Sequence, residues 1–187
     1  MDIVSRVKNI LIDPKNEWAV IDGEPDTPID ILKNYVAIVA AIPVVCAFIG
    51  TSIIGIGPYR TGLFVGLIGS IIHYVLTLVG VFVIAFIIDM LAEMFGGRKN
   101  FNSAFKVAAY APTAAWVAGV FALIPILSVL TILGLYSLYL FYLGLPMLMR
   151  TPPEKAVAYV IAVIVAAIIV WLVIFSLPMM LLGMRLM

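Results

Sequence analysis

Five stretches of this chain are each long and apolar enough to cross a bilayer, and that leaves few options for its fold. A membrane-crossing helix needs roughly 20 apolar residues. In hydrocarbon the backbone must satisfy its own hydrogen bonds, which a single segment achieves only as a helix. The spans run from about 29–53, 62–95, 103–123, 126–149 and 155–182. Thr27-Pro28-Ile29-Asp30 has the capping-box pattern at the start of the first, and Thr151-Pro152-Pro153-Glu154 repeats it before the fifth. Pro43 predicts a kink in the first span, and Pro125 a tight hairpin between the third and fourth. Composition agrees: 65% of the 187 residues are hydrophobic and 11% charged, against about half and about a quarter in a soluble domain. A water-soluble core of this length cannot hide so much apolar surface. The expected fold is an all-α integral membrane bundle of five transmembrane helices, with residues 1–28 as a separate N-terminal segment.

Orientation follows from the basic residues of short loops, which favour the cytoplasmic side. With the N-terminus inside, the inner segments hold Arg6, Lys8, Lys15, Lys33, Arg98, Lys99, Lys106, Arg150 and Lys155. These are nine of the eleven Lys and Arg; Arg60 and Arg185 fall outside. The expected topology is N-in/C-out, and the expected location is a prokaryotic inner or plasma membrane. The N-terminus shows no apolar stretch ending in a small-residue cleavage site, so the first span is expected to direct insertion.

Within the N-terminal segment, Ile3, Val4, Val7, Ile10 and Leu11 share one helical face, with Arg6, Lys8 and Asn9 away from it. Pro14 ends this short helix and starts a turn carrying Glu17 and Trp18. Two readings stand: an amphipathic helix on the membrane surface with Trp18 among the headgroups, or a helix packed on the cytoplasmic end of the bundle. Residues 22–26 form a turn-rich acidic linker. Small residues mark possible seams between spans. They recur at Gly62, Gly66 and Ser70, at Ala104, Ala108, Ala111, Ala115 and Ala118, at Gly134, Ser137 and Gly144, and at Ala158, Ala162 and Ala166.

Asp89 and Glu93 are the most informative polar pair. Four residues apart near the cytoplasmic end of the second span, they share a helix face. A carboxylate at the bilayer centre costs about 2.5–3.5 kcal/mol. Lys106 follows at similar depth, so the three form either a structural ion-pair group or a cation or proton site. Met90 and Met94 beside them are filler rather than soft metal ligands, and no metal site or cofactor is expected. His73, the only histidine, is sixteen residues before Asp89, roughly 24 Å along a helix. It is expected to bond a neighbouring helix. Tyr110 and Pro112 fall early in the third span, where Pro112 frees a backbone carbonyl. Tyr136, Tyr139 and Tyr142 recur on the fourth, as hydrogen-bonding residues between helices or along a polar pathway.

Motifs for hydrolysis, phosphate binding and thiol redox chemistry are absent from the sequence, and an enzyme is not expected. A formal net charge of +1 without a basic block argues against nucleic-acid binding. The single Cys46 excludes an intramolecular disulfide.

The run Gly134-Leu135-Tyr136-Ser137-Leu138-Tyr139-Leu140-Phe141-Tyr142-Leu143-Gly144-Leu145-Pro146, continuing at Met149-Arg150-Thr151-Pro152-Pro153-Glu154-Lys155-Ala156, resembles prokaryotic members of the Yip family. Phe95-Gly96-Gly97, Phe105 to Pro112 and Pro14-Lys15-Asn16-Glu17-Trp18 are also similar to that family. The resemblance implies five membrane helices and a cytoplasmic N-terminus. Eukaryotic relatives interact with Ypt/Rab GTPases through long N-terminal regions; about 28 residues precede the first span here, so Rab binding does not transfer.

Two functions stand on this reading. One is a non-enzymatic scaffold or partner-binding protein, with the lipid bilayer around it, a protein partner at the cytoplasmic face and a homo-oligomer among its assemblies. The alternative is a small transporter or channel for a cation, proton or small solute. Asp89 and Glu93 would then bind the cargo, with Tyr136 and Tyr139 along its path.

Overall fold

The computed structural model describes residues 2–55 and 60–183, and the side chains of all of these except 175, 178, 179 and 181–183. Arg185, counted among the outer cations, lies outside the described residues. Two short helices, α1 (Ile3–Ile12) and α2 (Pro14–Gly23), precede five spans. The spans are α3 (Pro28–Ile54), α4 (Leu63–Leu91), α5 (Phe101–Leu123), α6 (Pro125–Leu148) and α7 (Pro153–Gly183). The expected five-helix membrane bundle is therefore present.

Local chemistry sets the ends. The Thr27 hydroxyl accepts from the Asp30 N–H at 3.3 Å, and the Asp30 carboxylate accepts from the Thr27 N–H at 3.2 Å, completing the first capping box. The second does not form: the Thr151 hydroxyl is buried without a hydrogen-bond partner, and the Pro152 carbonyl accepts the first N–H groups of α7. Asn100 caps α5 by accepting from the Ser103 N–H at 3.2 Å. The chain reverses at Ile124, whose backbone is extended, and Pro125 opens α6 as expected.

The spans are not uniform α-helices. Pro43 cannot donate to Val39, and the α-helix of α3 is interrupted at Ala40; wider π turns occupy Leu32–Val36 and Ile49–Ile54. The first eleven residues of α6, Pro125–Leu135, wind as a 3-10 helix. That winding rises about 2.0 Å per residue rather than about 1.5 Å, so it stretches α6 across more of the bilayer.

The least apolar span, α5, is the central one, with 61% of its most apolar window buried against 17–28% in the others. Ala104, Ala108, Ala111 and Ala118 of its small-residue stripe are buried. A Cβ at Gly134 would lie 2.9 Å from the Ala115 Cα, so α6 closes on α5 there because glycine has no side chain. The Ala158, Ala162 and Ala166 stripe does not face the core: Tyr159, Val160 and Val163 are buried instead. Tyr159 sets that rotation by donating to the Ile88 carbonyl and stacking on Phe95.

Candidate functional site

The N-terminal helices pack against the bundle, as in the second of the two readings, with Ile10, Trp18 and Ile21 buried. Arg6, expected on the polar face of α1, is 4% exposed and points into the bundle with Ile10. Its guanidinium donates to Glu17 of α2 at 2.6 Å and to Glu24 of the linker. It also lies 5.5 Å from the ring centroid of Tyr110. Tyr110 is nine residues beyond the first residue of α5, roughly 14 Å along its axis, so α1 enters the mouth of the bundle. Burial works against the Arg6 charge, but the Glu24 hydrogen bond and the attractions of Glu24, Tyr110 and Glu17 outweigh it and raise its pKa. Two carboxylates make this burial tolerable where a lone guanidinium would be expelled.

Three further contacts fasten the segment to the spans. The Lys106 ammonium donates to the Ile21 carbonyl at 2.8 Å and the Glu24 carbonyl at 2.5 Å. It thereby serves the C-terminal end of α2, where helix carbonyls lack donors and the dipole is negative. Arg150 pairs with Asp22 at 2.6 Å. With φ 54 it occupies the left-handed position after α6 that usually belongs to glycine. Trp18, placed among headgroups in one of the two readings, has no exposed surface and packs on Gly144, where a Cβ would meet its indole ring.

Beneath the cluster, Tyr35 of α3 reaches the Thr113 hydroxyl at 2.7 Å. Thr113 donates to the Tyr110 carbonyl at 2.6 Å across the break at Pro112, which makes Tyr35 the donor in the first bond. The Tyr35 and Tyr110 rings also pack against each other, tilted by 57° with centroids 4.6 Å apart. Tyr110 is thus an interface residue between α1, α3 and α5.

The expected carboxylate group is dispersed. Lys106 serves α2 and does not join Asp89 and Glu93. Glu93 lies past the end of α4 in a 3-10 turn, is largely exposed and pairs with Lys99 at 3.4 Å. Asp89 is half-buried, and its Oδ1 has no hydrogen-bond partner. Among the described residues no group of three or more His, Cys, Asp or Glu could hold a metal ion.

The remaining candidates separate as well. His73 and Pro112 line a cavity of about 370 Å³ at the middle of the spans. His73 has the backbone of Ile174 in α7 as a hydrogen-bonding partner. Tyr136 and Tyr139 lie outside this cavity, more than a third exposed on the outer surface, with ring centroids 5.4 Å apart. Ser137, between them, turns inward and accepts the Ala115 N–H at 3.0 Å. Sequence reasoning missed Arg6, Glu17, Glu24, Asp22, Arg150, Trp18, Tyr35 and Thr113 as contact residues. One signal was present: Arg6 falls with Ile3, Val7 and Ile10 at the three- and four-residue spacings of a single face.

The family model described as the Yip1 domain matches residues 8–175, from within α1 to within α7. The chain belongs to the Yip1 domain family. It is 32% identical over 125 residues to the inner membrane protein YohC of Escherichia coli strain K12. The YohC of strain O6:H1 (CFT073) matches to the same extent. The match spans 64% of this chain and 64% of the length of each YohC. No solved structure gives a significant match. The resemblance to prokaryotic Yip proteins is borne out, and the chain is a multi-pass cell-membrane protein of that family.

Proposed function

We propose that this Yip1-domain protein is a non-enzymatic membrane scaffold that binds a protein partner on the face carrying α1 and α2, with that face in the cytoplasm. The observation that carries the reading is the use made of the buried charges. Arg6, Glu17, Glu24 and Lys106 fasten a short N-terminal segment into the bundle mouth, which presents its outer surface as a fixed platform. Val4 and Ile12 stand 69% and 72% exposed on that surface, with Lys8 also exposed. The basic residues of residues 1–28 and of the loops on this face support the cytoplasmic assignment.

A transport reading draws on one observation, the buried and unpartnered Oδ1 of Asp89. Glu93 gives it little support, being exposed and paired with Lys99, and the mid-span cavity has no carboxylate in its lining. Purified protein in liposomes separates the two. The scaffold reading expects no flux across a panel of protons, monovalent and divalent cations and small neutral solutes. Flux that disappears in the Asp89→Asn plus Glu93→Gln variant would overturn it. Photo-crosslinking from Val4, Lys8 and Ile12 in intact cells tests the platform directly: a discrete protein adduct supports it, and adducts to lipid alone refute it.

A further inference from the structure

The central cavity lies away from the charge cluster and uses none of its residues. All five spans contribute to its wall, including Pro43 of α3, Thr77 of α4, Trp116 of α5, Phe141 of α6 and Ile168 of α7. These positions fall near the middle of their helices. Its volume of about 370 Å³ is within the range of roughly 300–1,000 Å³ typical of small-molecule sites. The mouth can be located from exposure. Ala115, Leu138, Ile168 and Trp171 line the cavity and are also exposed, so it opens sideways between α6 and α7. At that depth the opening meets hydrocarbon.

The lining chemistry selects the occupant. No charged side chain contributes to it, and its Thr77, Ser137 and His73 side chains have partners in the protein. The Thr77 hydroxyl donates to the His73 carbonyl at 2.9 Å. The Ser137 hydroxyl accepts from Ala115, and His73 has the Ile174 backbone. An ion would lose its hydration here and find no countercharge. A hydrocarbon chain leaves no polar group unpaired here and packs against the apolar wall. We propose that this cavity is a binding site for the hydrophobic tail of a membrane lipid, entering laterally between α6 and α7. The inference does not rest on the scaffold reading.

The test uses Trp116, which lines the cavity and is 8% exposed, so lipid bound elsewhere on the surface makes little contact with it. The full chain carrying Trp18→Phe and Trp171→Phe is placed in phosphatidylglycerol and phosphatidylethanolamine liposomes whose acyl chains are brominated mid-chain. Occupancy predicts that Trp116 emission falls at least about twofold relative to unbrominated liposomes. Ala167→Phe, which fills the cavity from α7, is expected to abolish most of that loss. Ala115→Phe at the mouth provides a second block should the first variant be unstable, with circular dichroism verifying the helical fold of each. Trp116 emission indifferent to brominated tails in the folded protein would overturn the proposal. So would quenching by aqueous acrylamide in place of the brominated lipid, which means a water-filled cavity, or quenching unchanged in both folded blocking variants. Arg6→Met, which loosens the N-terminal segment, is expected to leave the quenching unchanged, so the site's failure and the platform's failure remain distinguishable.

Discussion

Replacing Arg6 by Met tests whether the charge cluster holds the N-terminal helices in place. The Arg6 and Glu17 side chains are each 5% exposed, and that of Glu24 is 22% exposed. Removing the guanidinium therefore leaves the Glu17 carboxylate buried without its cation, while Glu24 retains a route to water. Breaking one partner of a buried pair costs about 3–5 kcal/mol. At about 1.36 kcal/mol per tenfold, the open state of α1 and α2 should become roughly 150- to 5,000-fold more populated. Ile10, with no exposed surface, is the reporter. Ile10→Cys is combined with Cys46→Ala, so that a single thiol remains, and reaction with a membrane-impermeant maleimide is timed in liposomes. Where opening and closing are fast relative to labelling, the rate follows the open population. Lys8→Cys, on the exposed face, reacts rapidly in both backgrounds and controls for access. Adding Glu17→Gln to Arg6→Met removes the stranded charge and should slow labelling again. An Ile10→Cys rate that rises less than threefold in Arg6→Met, or a double variant as fast as the single one, would refute the reasoning.

Lys106→Met removes a charged donor from the Ile21 and Glu24 carbonyls, with a loss of about 1.5–3 kcal/mol. Cleavage of the Ile21–Asp22 bond by an endopeptidase that cuts before Asp should then accelerate about tenfold or more, and a rate unchanged from wild type would count against the helix-end role. Gly144→Ala places a Cβ against the Trp18 indole and should cost about 1–3 kcal/mol by overpacking; a lowered thermal midpoint with red-shifted Trp18 emission checks this. Thr27→Val should destabilise by about 0.5–2 kcal/mol through loss of the cap. Thr151→Val, which removes an unpartnered buried hydroxyl, should be neutral or stabilising in the same thermal assay.

Features decided within a few residues or one helix were legible in the sequence. The spans follow from the need of the backbone to bond itself in hydrocarbon, and the Thr27 cap and the turn before Pro125 follow from side chains beside the bonds they make. Relations between helices were not legible. The alanines of the fifth span have the right spacing for a seam, yet Tyr159 anchors a different face to Ile88. The polar face of α1 was misread because Arg6 looks solvent-seeking until Glu17 and Glu24, eleven and eighteen residues later, are known to surround it. Its neighbours Lys8 and Asn9 remain on the outer side, exposed and part-exposed.

Lys106 shows the physical reason most clearly. Its depth resembles that of Asp89 and Glu93, and in a listing of charged side chains those two carboxylates are natural partners. Depth along a helix does not set the direction in which the side chain leaves it. Lys106 instead reaches the end of α2, where carbonyl oxygens left over by the helix accept its hydrogen bonds and the acidic residues Asp22, Glu24 and Asp26 stand nearby. The carbonyl acceptors are created by folding and have no letter in the sequence. Where a membrane bundle admits a short helix into its mouth, helix ends can therefore compete with carboxylates for a nearby lysine. Here Glu93 is left to Lys99 at the surface, and Asp89 keeps a buried oxygen without a donor.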